Sequence, residues 1–150
     1  MSKFMKEALK QAQKSYEEDE VPIGAVIVQN GKVLSRAHNT RNRTQNAINH
    51  AEILAISKAC KKLGSWRLDD CEIYVTLEPC PMCAGAILNA RITKLYFGAY
   101  DKTSKTNILD VIMQDDRLNH KTLVEGGIMQ DECSKLLTEF FVNKRNSKKS

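Results

Sequence analysis

No apolar run in this sequence approaches the ~18 residues needed to cross a bilayer, which argues against an ordinary membrane-spanning helix. Met1 to Ser15 is studded with lysine and has no apolar h-region, so it does not read as a signal peptide. Repeats, low-complexity segments and domain linkers are also missing. Cysteine is present, but five is an odd number and the spacing is not that of a secreted disulfide scaffold. That argues for a reducing compartment, and the cytoplasm is the expected location. Cys60, Cys71 and Cys133 are expected to be small apolar core residues. With 42% apolar residues, the 150-residue chain can build one continuous core. A single domain over 1–150 is expected, with a basic tail from about 143.

Acidic residues are lacking from Val21 to Ala51, a stretch that carries Lys32, Arg36, Arg41 and Arg43. Lys144, Arg145, Lys148 and Lys149 place four charges of the net +5 in the last eight residues. Two basic segments suit a polyanion partner; a basic tail is as readily explained by solvation alone.

Phe4, Met5, Ala8, Leu9, Ala12 and Tyr16 recur at helical spacing, predicting a helix over 3–17 that ends at the acidic run Glu17–Glu20 and Pro22. Residues 23–28 and 33–37 read as strands joined by the turn pair Asn30-Gly31. The polar segment 39–46 reads as loop. A helix over 48–63 stops at Gly64. Residues 71–77 form a strand, Pro81 opens a helix that runs to about Ala90, and 92–98 form the next strand, a parallel crossover unit. A short helix near Leu109, a strand at Leu123 and a last helix follow. The last helix carries Met129, Cys133, Leu136, Leu137, Phe140 and Phe141 as one apolar stripe. Only one of the neighbouring Phe140 and Phe141 can face inward squarely, which leaves the other for stacking. The sum is an α/β protein, a mixed sheet with helices on both faces.

The chemistry concentrates in His50-Ala51-Glu52 and, thirty positions on, Pro79-Cys80-Pro81-Met82-Cys83. One imidazole and two thiols are zinc-type ligands, and three protein ligands mark a catalytic rather than a closed structural site. Glu52 is not needed as a ligand and suits proton transfer. Cys80 and Cys83, three apart at a helix start, share a face. His50 and Glu52 are two apart and converge only if both sit in a first helical turn. Two helix N-termini aimed at one point are therefore expected, an arrangement that favours thiolates. A CxxC between strand and helix also suits a redox dithiol. A fourth ligand from His38, His120 or Cys71 would make a structural zinc. Glu52 is the residue that both alternatives leave unexplained.

HxE followed by PCxxC resembles the signature of the zinc-dependent nucleobase deaminase superfamily. Glu20-Val-Pro-Ile-Gly-Ala-Val26, His38-Asn39, Leu63-Gly-Ser-Trp-Arg-Leu68, Val75-Thr-Leu-Glu-Pro-Cys80, Met82-Cys-Ala-Gly-Ala86, Phe97-Gly-Ala-Tyr-Asp101, Asn119-His120 and Phe140-Phe141 are similar to its bacterial tRNA-specific adenosine deaminase branch. The likeness covers about residues 3 to 145. It implies a cytidine-deaminase-like three-layer α/β/α sandwich with a mixed five-stranded sheet, usually a homodimer. The implied reaction is hydrolysis of a tRNA wobble adenosine to inosine. His50, Cys80 and Cys83 would hold one Zn(2+) per subunit, and Glu52 would carry the protons. Ile23 and Asn39 match positions that hold the base, and Asp101 one near the target ribose. Asn119, His120, Phe141 and the basic C-terminal helix match the tRNA-contacting side. The chain departs from the branch at Asn46-Ala47-Ile48-Asn49 and in the glycine-free segment 102–107. Neither touches a metal ligand or Glu52, so activity is still expected. The alternatives are a guanine, cytosine or nucleotide deaminase of the same superfamily and a non-catalytic zinc RNA-binding module.

Overall fold

Asn30 and Gly31 take left-handed backbone angles, φ 52° and 75°, forming the two-residue turn whose twist matches the strands it joins. It folds β1 (Gly24–Gln29) against β2 (Lys32–His38) as an antiparallel hairpin, with a bulge between Ile27 and Val28. Before the hairpin lies α1 (Ser2–Glu17); after it come the single turn α2 (Arg41–Thr44) and α3 (Ala51–Leu63). The chain continues through β3 (Cys71–Leu77), α4 (Pro81–Asn89), β4 (Lys94–Ala99), α5 (Ile108–Met113), β5 (Leu123–Glu125) and α6 (Gln130–Lys149). The structure, a computed structural model, describes residues 1–102 and 108–149, the side chains of Lys148 and Lys149 excepted. Most of the glycine-free segment 102–107 and those two lysine charges lie outside the described residues.

The strands form one sheet in the order β2-β1-β3-β4-β5. β1 is antiparallel to β2 and β3, whereas β3, β4 and β5 run parallel. Alternate residues of a strand face opposite sides, and here both sides are apolar. Ile27, Ile73, Val75, Leu95 and Phe97 pack under Ala55 of α3, Ile87 of α4 and Leu109 of α5. Val26, Val28, Tyr74 and Tyr96 pack under Met5 and Ala8 of α1 and Cys133 of α6. Each fully buried aliphatic side chain contributes roughly 1.5–3 kcal/mol. The result is the expected α/β/α sandwich. At Gly24 the helix layer comes closest: a Cβ there would lie 2.0 Å from the backbone oxygen of Ala8, so only glycine lets α1 sit this low.

Some boundaries differ from expectation, each for a local reason. α3 starts at Ala51 rather than near 48, because the Asn46 side chain accepts the Ile48 N–H at 3.1 Å and its carbonyl accepts that of Asn49. Such side-chain turns compete with helix. The loop expected over 39–46 contains α2, which buries none of its residues. β4 begins at Lys94 because Arg91, at φ 64°, turns the chain first. Cys71 and Cys133 are buried as expected; Cys60 is half-exposed, its thiol donating to the Trp66 carbonyl at 3.7 Å. Along the edge strand β2, Lys58 and Lys62 of α3 donate to the carbonyls of Arg36 and Leu34, at 2.9 and 3.4 Å.

Candidate active site

β3 delivers the chain to Cys80, the N-cap of α4, and Pro81 at the first helical position needs no N–H partner. His50 is the N-cap of α3. The His50 side chain makes no capping bond to its own helix, so the imidazole is free to turn toward the thiols, while the Cys80 sulfur engages Cys83 in the first turn of α4. His50 Nδ1 lies 3.7 Å from Cys80 Sγ and 3.6 Å from Cys83 Sγ, with the three donor atoms within 4.8 Å of one another. A tetrahedral zinc with bonds of ~2.3 Å to sulfur and ~2.05 Å to nitrogen has N···S edges of about 3.6 Å. The donor set therefore fits such an ion in chemistry and in size.

Glu52, in the first turn of α3, is 4% exposed, and its Oε1 has no hydrogen-bond partner among the described residues. Burial pushes its carboxyl up to about 7. The carboxyl still bonds Cys83, but a buried acid with one oxygen left unpartnered points to function more than to packing. The thiol of Cys80 is pulled down to about 4, first by its hydrogen bond with Cys83 and then by His50. Cys83, on the other side of that bond and more deeply buried, is pushed up. The hydrogen bond to Cys80 also raises His50. A cation between the sulfurs would favour thiolate at both.

The other candidate ligands are elsewhere. His38 Nε2 meets Glu18 at 3.1 Å, His120 Nε2 meets the Ile92 carbonyl at 2.8 Å, and Cys71 is buried at the far end of β3. Among the described residues none of these three joins His50, Cys80 and Cys83.

Of the remaining sequence candidates, Ile23 and Asn39 are brought together, the Asn39 N–H donating to the Ile23 carbonyl at 3.0 Å. Asn39 is buried; its amide donates to the Val21 carbonyl at 3.2 Å and its Oδ1 accepts the Arg41 N–H at 3.3 Å. The next residue, Thr40, donates its N–H to the Asn49 carbonyl at 3.2 Å, next to His50. Asp101 and Phe141 line a shared cavity of about 400 Å³ beside Leu77 and Tyr100, at the end of β3 that leads to Cys80. Phe141 is 49% exposed, whereas Phe140 is 5% exposed and meets Tyr16 edge-on.

Asn119 and His120 are not brought to this centre. They line a separate cavity of about 440 Å³ with Leu88, Asn89 and Arg91, at the C-terminal end of α4, while His50, Cys80 and Cys83 cluster at its N-terminus. Glu78 was not among the sequence candidates: its Oε1 accepts the Asp101 N–H at 2.9 Å. Its position two residues before Cys80 was the available signal. The basic segments are less bare in space than in sequence. Arg36 pairs with Glu7, Arg43 with Glu18 and Lys144 with Asp19, at 3.2, 3.3 and 2.7 Å.

The MafB19-like deaminase family profile matches residues 1–146. The tRNA-specific adenosine deaminase of Bacillus subtilis (strain 168) is 49% identical over 98% of this chain and 92% of its own length. That of Aquifex aeolicus (strain VF5) is 44% identical over 96% and 95%. Among solved structures, one from biochemical and structural studies of A-to-I editing by tRNA:A34 deaminases at the wobble position of transfer RNA superposes with a TM-score of 0.85. It is 39% identical and covers 91% of this chain and 100% of its own.

Proposed function

The chain belongs to the MafB19-like deaminases, the family of the tRNA-specific adenosine deaminases, and from that membership we propose that it hydrolyses the wobble adenosine of a tRNA anticodon to inosine, releasing ammonia. The observation that carries this reading is the buried carboxyl of Glu52, with its Oε1 unpartnered among the described residues, beside three donor atoms spaced for a tetrahedral ion. His50, Cys80 and Cys83 hold one Zn(2+) in each subunit. The ion, when bound, supplies the positive charge that makes water acidic near neutral pH.

Glu52 takes a proton from the attacking water and passes it to ring nitrogen N1, which makes C6 electrophilic; it then takes the second proton from the oxygen now on C6 and gives it to the departing amine, so that ammonia leaves and the carbonyl of inosine remains. Its displaced acidity suits both directions of transfer near pH 7. Burial excludes bulk water from the proton path. Ile23 and Asn39 hold the base, and Asp101 lies near the ribose of the target nucleotide. Phe141 offers its exposed ring to a neighbouring base, as anticodon loops present bases that can be splayed out and stacked. Asn119 and His120, at the other end of α4, contact RNA away from the target. The basic C-terminal helix holds phosphates, which makes binding salt-dependent.

The 150 residues act as one deaminase domain with a basic tail, in the cytoplasm and as a homodimer. Exposed Met82 on α4 and exposed Ile108 and Val111 on α5 support self-association. No helix among the described residues is long and apolar enough to cross a membrane. The test is an anticodon stem-loop with adenosine at the wobble position, read by sequencing for inosine, in parallel with ammonia release from guanine and cytosine. Inosine in the stem-loop supports the proposal; turnover of the free bases with an untouched stem-loop overturns it.

A further inference from the structure

Glu20 closes an acidic run after α1, where solvated side chains are the ordinary outcome, yet it is 1% exposed. A buried charge needs compensating hydrogen bonds. Both come from one turn: Glu20 Oε1 accepts the Asn42 N–H at 3.0 Å, and Oε2 accepts the Arg43 N–H at 2.7 Å. These are the second and third residues of α2, whose N-cap Thr40 supplies no side-chain bond. The first N–H of that turn, from Arg41, goes to Asn39 Oδ1. The donors that open a helix normally find partners nearby; here two of the three depend on a carboxylate 22 and 23 positions upstream. The turn is anchored elsewhere too. Ser15 Oγ donates to the Asn39 carbonyl at 2.8 Å, and Thr40 ties it to Asn49 beside His50.

We infer that Glu20 is a positioning residue: it holds the Asn39–Arg43 turn in the shape that receives the target nucleotide, without touching it. The inference rests on the reading of Asn39 as a base-holding residue. Glutamine at position 20 keeps the volume but offers one acceptor oxygen, and its amide N–H groups would meet a backbone N–H. One of the two bonds is lost. Substrate must then order a looser turn as it binds, while Glu52 and the metal donors, on α3 and α4, are unaltered. That raises KM and spares kcat.

The experiment uses metal-loaded full-length protein and the anticodon stem-loop. Glu20→Gln is expected to raise KM about tenfold, the worth of one charge-assisted hydrogen bond. Metal content and kcat should hold, and the amide proton signals of Asn42 and Arg43 should shift in nitrogen-15 NMR spectra. Asn39→Ala should also raise KM, and the double variant should bind no worse than the weaker single one, because the two changes act through one turn. An unchanged KM in Glu20→Gln overturns the inference, as does full additivity where both single changes act. If Glu20→Gln raises KM and Asn39→Ala does not, the base-holding reading of Asn39 falls, while Glu20 stands as the anchor of Asn42 and Arg43. Should the glutamine variant fail to fold, Glu20→Asp, which keeps the charge on a stem one methylene shorter, carries the same measurements.

Discussion

Replacing Glu52 by glutamine removes a charge and almost no volume, and its two consequences should have opposite signs. In the proposed role of proton carrier Glu52 would be worth ~10²–10⁴-fold in rate, so Glu52→Gln should lose at least about 100-fold in kcat on the anticodon stem-loop. Its cost to folding follows from burial. The carboxyl is pushed up to about 7 in the fold against 4.5 ordinarily, a gap worth about 3–4 kcal/mol at ~1.4 kcal/mol per pKa unit. Below the ordinary value both folded and unfolded chains hold the proton, and Glu52 contributes nothing to the pH dependence. As pH rises through the interval, the unfolded chain ionises first and stability falls. Above about 7 the whole penalty is present. Metal-stripped Glu52→Gln should therefore be more stable than metal-stripped wild type at pH 8, by about 2–3 kcal/mol once the cost of burying its own amide is allowed for. The advantage should vanish near pH 4.5. Urea unfolding at the two pH values measures it. A glutamine variant no more stable than wild type at pH 8 refutes the burial argument, and unaltered turnover removes Glu52 from the mechanism.

Gly24→Ala should destabilise the fold by about 2 kcal/mol or more, because the new methyl meets backbone of α1 that cannot turn aside; the urea midpoint reads it. The two neighbouring phenylalanines should separate cleanly. Phe140→Ala is expected to cost ~3–5 kcal/mol of stability. Phe141→Ala should leave the melting temperature in place and weaken stem-loop binding by ~1–3 kcal/mol, the worth of a stacked base. Burial pushes the Cys133 thiol up to about 12, so a thiol reagent at pH 8 should leave it unmodified in native protein while labelling the half-exposed Cys60, as peptide mass mapping would show.

The convergence of His50, Cys80 and Cys83, the candidate metal donors, was legible because ligand chemistry is a matter of residue type and spacing, and because Pro81 and Gly64 mark helix ends within a residue. The alternating strands were legible for the same local reason. α2 was not: it has no apolar stripe, and two of its N–H groups find their partner on Glu20, which in sequence only closes the acidic run after α1. Charge was misleading in a related way. The acid-free stretch 21–51 folds against the acidic end of α1, and Arg43 and His38 both meet Glu18. The position of Asn119 and His120 depends on which end of the sheet the connection after α5 crosses, and no local pattern encodes that.

Lys58 and Lys62 have a consequence for how copies of this protein can meet. An unpaired strand edge is a template on which another chain can add, the first step toward fibrils. Here the outer carbonyls of Leu34 and Arg36 are already occupied by two ammonium groups, and at the opposite margin β5 offers only three residues. Growth of the sheet from molecule to molecule is therefore blocked on one flank and brief on the other, which leaves the helical faces as the surfaces for orderly association. Neutralising the two lysines by acetylation would bare the β2 margin, with faster amide exchange there and a greater tendency to aggregate on storage.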